Sequence, residues 1–348
     1  MTDASFPAPL RVALVGFGLA GRVFHAPLIQ STPGLQLACV VSSDPAKVRQ
    51  ALGEVEVVPT LDHALQRHAI DLVAIASPND THVALARQAL AAGCHVVIDK
   101  PMAPTLAEAE ALAAEAARCG RLLSVFHNRR WDADFLALRA AIGSGALGEV
   151  AELHSHFDRF RPQVQARWRE RPGTATGLWF DLGPHLVDQA LQLFGLPASV
   201  SADILAQRAG AQVDDAFHVI LRYERLRVHL HAGSLVCNAP PRFAAHGSGG
   251  SWIKHGLDAQ EAQLRDGLRP GADGWALDPS PALYRAADAE HTIEAPLPPG
   301  RWTDYYTGIA GAIRDGTAAP VTAASAIETM WVLEAAQRST AQGCVVAL

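Results

Sequence analysis

The feature that most limits what this chain can fold into is a glycine run near its start, Gly16-Phe17-Gly18-Leu19-Ala20-Gly21. It follows directly on a short apolar segment, Leu10–Val15 (LRVALV), and opens onto a helical pattern. Glycines at this spacing have separate uses. Gly16 permits a tight turn, Gly18 lets the backbone approach a pyrophosphate, and Gly21 lets helix and strand pack closely. The phosphate then rests on N–H groups at the start of a helix. Strand, glycine turn and helix in that order predict a dinucleotide-binding βαβ unit, with a purely structural turn as the alternative.

The rest of the chain extends that unit. Apolar runs at Leu35–Ser42, Leu72–Ala76, His95–Ile98 and Leu122–Phe126 alternate with helical periods that end at Gly93 and Gly120. Continuous apolar strands separated by helices predict a doubly wound parallel sheet, a Rossmann-type α/β domain over residues 1–126. After Arg130 the rhythm changes. Helices are expected over Phe135–Ser144, Leu178–Phe194, Trp302–Arg314 and Ala323–Ala341. Strands are expected at Val150–Phe157, Val200–Leu205, Ala216–Tyr223, Leu226–Val236 and Arg242–His246, with Asp266–Pro299 as loop. A hairpin around Arg225 makes this second sheet mostly antiparallel. Residues 127–348 are thus predicted to form an α+β domain with a large open sheet.

Composition excludes several functions. With 348 residues, 49% hydrophobic and 18% charged, the chain has apolar surface for two cores and is not disordered. A net charge of −6 provides no basic footprint for nucleic acid or an anionic membrane. No run of about 20 apolar residues is present, and Met1–Pro9 lacks the pattern of a leader. Five cysteines without CxxC spacing fit reduced thiols, and so a cytoplasmic protein.

Four polar stretches could carry chemistry. After the second strand stand Ser42, Ser43, Asp44 and Lys47. An NAD site usually places a carboxylate there for the ribose 2′-hydroxyl, whereas hydroxyls and a cation suit a 2′-phosphate, which favours NADP. Equally, Asp44 could cap the next helix and Lys47 be a solvated charge. After the third strand, Ser77, Pro78, Asn79 and His82 fall where ligands bind in open α/β sheets, although the same residues form turns and caps. After the fourth comes Asp99-Lys100-Pro101, and Lys100 is one of only three lysines among 29 basic residues. A cation there could lower the pKa of a substrate hydroxyl. In the second half, Asp181 and His185 are spaced i, i+4, so on a helix they share a face, a carboxylate beside a general base. Pro184 suggests that this helix begins close by, at an exposed end. His218, His229 and His231, in strands, read as packed side chains. No HxxxH or Cys/His cluster has ligand spacing, so no metal site is expected.

These motifs in this order resemble the glucose–fructose oxidoreductase/inositol dehydrogenase family (Gfo/Idh/MocA). The match runs through Gly16–Gly21, Ser77–Asn79, Asp99–Pro101 and Asp181–His185 and covers nearly the whole chain. The stretches 18–25, 126–132, 156–162 and 256–261 are similar to the branch containing scyllo-inositol dehydrogenases. The resemblance implies an NAD(P)-dependent dehydrogenase acting on a carbinol carbon of a cyclic polyol or sugar. Carried across, His185 is the acid/base, Asp181 orients it or binds a neighbouring hydroxyl, and Lys100 holds the reacting oxygen. Asn128 and Arg130 touch nicotinamide ribose or substrate, and Arg167 and Trp168 lie on a loop over the pocket. Asp99 replaces the family's glutamate and is one methylene shorter. The resemblance also implies a homodimer or homotetramer through the C-terminal sheet. A redox-neutral sugar-modifying enzyme and a non-catalytic dinucleotide or sugar sensor are the competing functions.

Overall fold

The protein was analysed as a computed structural model that describes residues 8–348; most of Met1–Pro9, where no leader is expected, lies outside the described residues. The chain divides into two compact units. The first begins with β1 (Leu10–Val15), whose glycine turn leads into a π-helical segment Ala20–His25 continuous with α1 (Ala26–Ser31). Then follow β2 (Leu35–Val41), α2 (Pro45–Leu52), β3 (Glu56–Val58), α3 (Leu61–Arg67), β4 (Leu72–Ile75), α4 (His82–Ala91), β5 (His95–Ile98), α5 (Leu106–Arg118) and β6 (Leu123–Val125). All six strands pair in parallel, in the order β3-β2-β1-β4-β5-β6. Leu72, Val73, Ala74 and Ile75 of β4 are fully buried, as strands covered on both faces must be. Thr105 caps α5 by accepting the Glu108 N–H at 3.2 Å, while its hydroxyl donates to Glu108 Oε2 at 2.9 Å. The order reverses between β1 and β4, so a crevice opens at their C-terminal ends. The three-residue β3 is too short to show a period, which is why the sequence pattern omits it.

The second unit contains α6 (Ala133–Gly143), β7 (Val150–His156), α7 (Leu178–Phe194), β8 (Ser199–Leu205), β9 (Ala216–Arg222), β10 (Arg227–Gly233), β11 (Phe243–Gly247) and β12 (Gly250–Lys254). After β12 the chain continues through α8 (Gln260–Arg265), β13 (Ala282–Ala286), β14 (Ile293–Ala295), α9 (Thr303–Asp315), α10 (Ala323–Gln342) and β15 (Val346–Ala347). The nine-stranded sheet runs β14-β13-β12-β11-β7-β10-β9-β8-β15, antiparallel except where β10 joins β7. On α7, Leu182, Leu186, Val187 and Ala190 are buried, each large aliphatic contributing about 1.5–3 kcal/mol. The Trp179 ring stands edge-on to Phe217 at 4.9 Å, and its Nε1 donates to the Leu333 carbonyl at 3.2 Å.

Three expectations are corrected. The break at 126 is present, but 127–348 is not one body: Gln260–Trp275 and Arg301–Ala326 join the first unit. Their anchors are buried. Trp302 N–H donates to Gln260 Oε1 at 2.9 Å, the Tyr305 hydroxyl meets Ser124 Oγ at 2.9 Å, and the Tyr306 hydroxyl meets His25 Nδ1 at 2.6 Å. Next, the stretch Asp266–Pro299 is not all loop, because β13 and β14 extend the sheet through antiparallel pairing that composition does not announce. Lastly, His218, His229 and His231 are not packed side chains. Strand alternation turns Phe217, Val228 and Leu230 into the core and these histidines to the other face, where His218 is exposed and the others half-buried.

Among the described residues no helix is long and apolar enough to cross a membrane. The five cysteines form no disulfide.

Candidate active site

In the first unit the predicted cofactor residues share one edge. Gly16–Gly21, Ser42–Ser43, Ser77–Asn79 and Asp99–Lys100 follow β1, β2, β4 and β5, all at the C-terminal ends of parallel strands. Hydrogen bonds tie these ends together. Gly16 N–H donates to Val41 O at 3.0 Å, Ala76 N–H to Val15 O at 2.7 Å, and Asp99 N–H to Ile75 O at 2.8 Å. Gly16 has φ of +95°, and a Cβ there would come within 2.6 Å of the Ala76 carbonyl oxygen. A Cβ on Gly21 would overlap the Gly16 carbonyl oxygen, whereas one on Gly18 would meet nothing within 4 Å. The protein therefore packs against two glycines and leaves room at the third, as a dinucleotide pyrophosphate requires. Phe17 is buried and Leu19 exposed, with Ala20 opening the helix.

These geometries predict opposite outcomes for two small substitutions. Gly18→Ala leaves the melting temperature unchanged and raises the cofactor KM about tenfold, the equivalent of about 1.4 kcal/mol. Gly21→Ala destabilises the fold by about 1–3 kcal/mol through overpacking. Thermal melts and cofactor titration of both variants check this. An equal loss of stability in both would remove the phosphate cradle from the argument.

The neighbouring loops are braced from within. Asp44 caps α2, accepting the Lys47 N–H at 3.0 Å, and its own N–H donates to Ser42 Oγ at 3.1 Å. Ser43 and the Lys47 side chain are exposed. Ser77 Oγ lies 2.6 Å from Thr81 Oγ1, which donates to Pro78 O at 2.7 Å, and Asn79 is buried. His82 is fully buried, so it is a positioning residue rather than a surface for the cofactor. Its Nδ1 lies 2.9 Å from Pro101 O and its Nε2 3.0 Å from Ser77 O, joining the two loops. Burial pushes the His82 pKa down, against the opposing pull of the Asp99 charge. Asp99 Oδ1 accepts the Lys100 N–H at 2.9 Å, so the shorter side chain is turned onto its own loop. His25, pushed down to about 4 by burial, packs its ring 4.2 Å from Phe126. Lys100 itself is buried.

In the second unit α7 is the organising element. It starts at Leu178, not near Pro184, which lies inside the helix. His185 is therefore one turn from Asp181 but buried, 8% exposed, not at an open end. The Asp181 carboxylate stands between Arg159 and Arg169, at 3.6 and 3.5 Å. At the N-terminus of α7 the Trp179 N–H donates to Asp214 Oδ2 at 2.6 Å. Burial pushes Asp214 up to about 6 against the pull of the N–H groups it accepts. Asn128 and Arg130 sit in a 3-10 turn, Asn128–Trp131, that packs on α7. Arg130 spends its fork on Asp188, with Nε at 2.9 Å from Oδ2 and Nη2 at 2.6 Å from Oδ1, so it braces α7 rather than reaching a ligand. Gln189 Nε2 donates to Arg129 O at 2.8 Å, a second clamp on the same turn. Arg167 is exposed and Trp168 is 39% exposed, with the Arg169 guanidinium over the indole at 4.6 Å.

Sequence reasoning missed Asp188, although its i, i+3 spacing from His185 is a readable signal. It also missed Arg208, for which there is none. Arg208 pins the 161–170 loop by donating to Arg161 O and Gln163 O, both at 3.1 Å, to Glu170 Oε2 at 3.1 Å, and to Asp215 Oδ2 at 2.7 Å.

Known proteins are similar to this chain along nearly its whole length. Residues 10–127 match a model of the oxidoreductase family's NAD-binding Rossmann fold, and 139–348 its C-terminal alpha/beta domain. The chain is 47% identical to the uncharacterized oxidoreductase YdgJ of Escherichia coli, over 93% of this chain and 94% of that protein. It is 41% identical to scyllo-inositol 2-dehydrogenase (NADP(+)) IolW of Bacillus subtilis, over 95% and 94%. A crystal structure from Klebsiella pneumoniae superposes with a TM-score of 0.92 at 47% identity, covering 98% of this chain and 96% of that one. With both domain models matched, over residues 10–127 and 139–348, the chain belongs to the Gfo/Idh/MocA oxidoreductase family and is an NAD(P)-dependent dehydrogenase.

Proposed function

We propose that this dehydrogenase oxidises a secondary hydroxyl of a cyclic polyol or sugar, with His185 as acid/base and NADP as the preferred cofactor. The observation that carries the reading is the pair on α7. A buried imidazole stands one helical turn from a carboxylate held between two arginines. An anion at that spacing favours the imidazolium formed when His185 takes the hydroxyl proton. Bound nicotinamide supplies the hydride acceptor. Lys100 steadies the substrate oxygen as it gains charge, and Asp181 orients the base or accepts a neighbouring hydroxyl. The name of the IolW relative supports both the inositol class and NADP.

The test is absorbance at 340 nm with NAD or NADP and a panel of inositols and aldoses. NADPH formation with a cyclic polyol or sugar supports the reading. Bound cofactor without turnover on any of them would overturn it in favour of redox-neutral chemistry. Cofactor choice has its own variant. Ser42 follows β2 directly, next to exposed Ser43 and Lys47, so Ser42→Asp sets a negative charge against a 2′-phosphate. The NADP-to-NAD ratio of kcat/KM falls about tenfold or more, which corresponds to about 1.4 kcal/mol of repulsion. An unchanged ratio would make Ser42, Ser43 and Lys47 bystanders.

A further inference from the structure

The outward face of the nine-stranded sheet carries an array of histidines that the dehydrogenase chemistry does not use. Alternation on β7 places Glu152, His154 and His156 on this face, and β10 adds His229 and His231. Register sets His154 beside His229 and His156 beside His231, while antiparallel pairing sets His218 of β9 beside His231. The His218 and His231 ring centroids are 4.3 Å apart, and those of His156 and His231 5.1 Å. Just beyond β7, the buried Asp158 carboxylate closes one end of the array. Its Oδ1 lies 2.8 Å from His231 Nδ1, and its Oδ2 3.3 Å from His156 Nδ1.

We propose that His156, His231 and Asp158 form a binding site for a borderline divalent transition metal such as zinc, on the face of the sheet opposite α7. The three donor atoms already lie within 4.8 Å of one another. Ligands bonded to zinc at about 2.0–2.1 Å in a tetrahedron are separated by about 3.3 Å, close to the 2.8 and 3.3 Å that separate Asp158 from His231 and His156. Asp158 is built as a fixed ligand: the Gly233 N–H donates to Oδ1 at 2.9 Å and orients the carboxylate.

Two imidazoles and a carboxylate select zinc, cobalt or nickel over magnesium and calcium, which prefer all-oxygen shells. Three protein ligands leave a coordination position open, and here a cavity of about 320 Å³ lies against them, lined also by His154, His218 and His229. A second triad, Glu152, His154 and His229, is adjacent. Its carboxylate is 45% exposed against 1% for Asp158, so it is the weaker holder. Phe217, which neighbours His218 along β9, faces Trp179 of α7, so the array lies across the sheet from Asp181 and His185. The metal is therefore separate from the proposed acid/base.

The experiment uses the full chain without a polyhistidine tag, stripped with chelator, loaded with zinc chloride and desalted, with retained metal counted per chain. The wild type retains one zinc that excess magnesium does not displace, and cobalt(II) in its place gives the visible bands of a low-symmetry nitrogen–oxygen site. His156→Ala/His231→Ala retains none. Asp158→Asn keeps the Gly233 hydrogen bond and weakens binding about tenfold or more. His154→Ala/His229→Ala keeps the tight zinc. Thermal melts and cofactor binding show that each variant is folded, and His231→Gln replaces any alanine variant that is not. Equal retention by the wild type and the His156/His231 variant would overturn the assignment. So would loss of the tight zinc from the His154/His229 variant.

Discussion

Replacing His185 by alanine lowers kcat by about 10²–10⁴-fold, the range a positioned general base contributes. KM for cofactor changes little, because the glycine cradle and its loops belong to the first unit, whereas α7 belongs to the second. The side chain is buried, so a cavity could mimic a chemical loss. His185→Gln, close in volume and without a titrating ring, separates the two. If glutamine restores stability but not turnover, the imidazole acts as base. If it restores both, His185 is a packing residue and the proton goes elsewhere. The pH profile adds an independent readout, since an enzyme that has lost its base loses the limb of the kcat/KM profile that the base controls.

The second large effect is on stability. Asp188→Asn destabilises the protein by about 3–5 kcal/mol, the cost of leaving a buried charge without its counter-ion. Asp188 and Arg130 expose only 2% and 8% of their side chains, and they meet at 2.6 Å. Arg130 belongs to the turn that packs on α7, so losing the pair loosens the helix one turn beyond His185. Denaturant midpoints measure the loss. The double change Arg130→Met/Asp188→Leu recovers much of it, because two apolar side chains remove both buried charges together. A single variant within about 1 kcal/mol of wild type would mean that water reaches the pair and that the turn is held by Gln189 and the Arg129 carbonyl instead.

How far a residue's role could be read from the sequence followed the distance to its partners along the chain. The glycine turn, the helix Leu178–Phe194 and the Asp44 cap depend on neighbours within four residues, and helical and turn geometry places those neighbours without reference to the rest of the fold. The same locality explains the Asp181/His185 spacing, although Pro184 was a false boundary: the helix begins six residues before it and carries the proline inside. Segments of α8 and α9 read as parts of a second domain because nothing local marks Tyr305 and Tyr306 as partners of Ser124 and His25, some 181 and 281 residues away.

The histidine array shows the division most clearly. Each strand, taken by itself, displays an alternating pattern with a few polar residues, and a lone histidine in such a pattern says nothing about its neighbours. Only the register of β7, β10 and β9 brings His156, His231 and His218 into one row beside Asp158. A one-residue slip in any pairing would send those side chains to the opposite face. Sequence by itself determined the dinucleotide-binding half, the helix that bears the proposed acid/base pair and the family. Tertiary structure decided which segments complete each unit, which charges pair in the interior and where the histidines converge, because those contacts are made between strands and helices that the chain visits far apart.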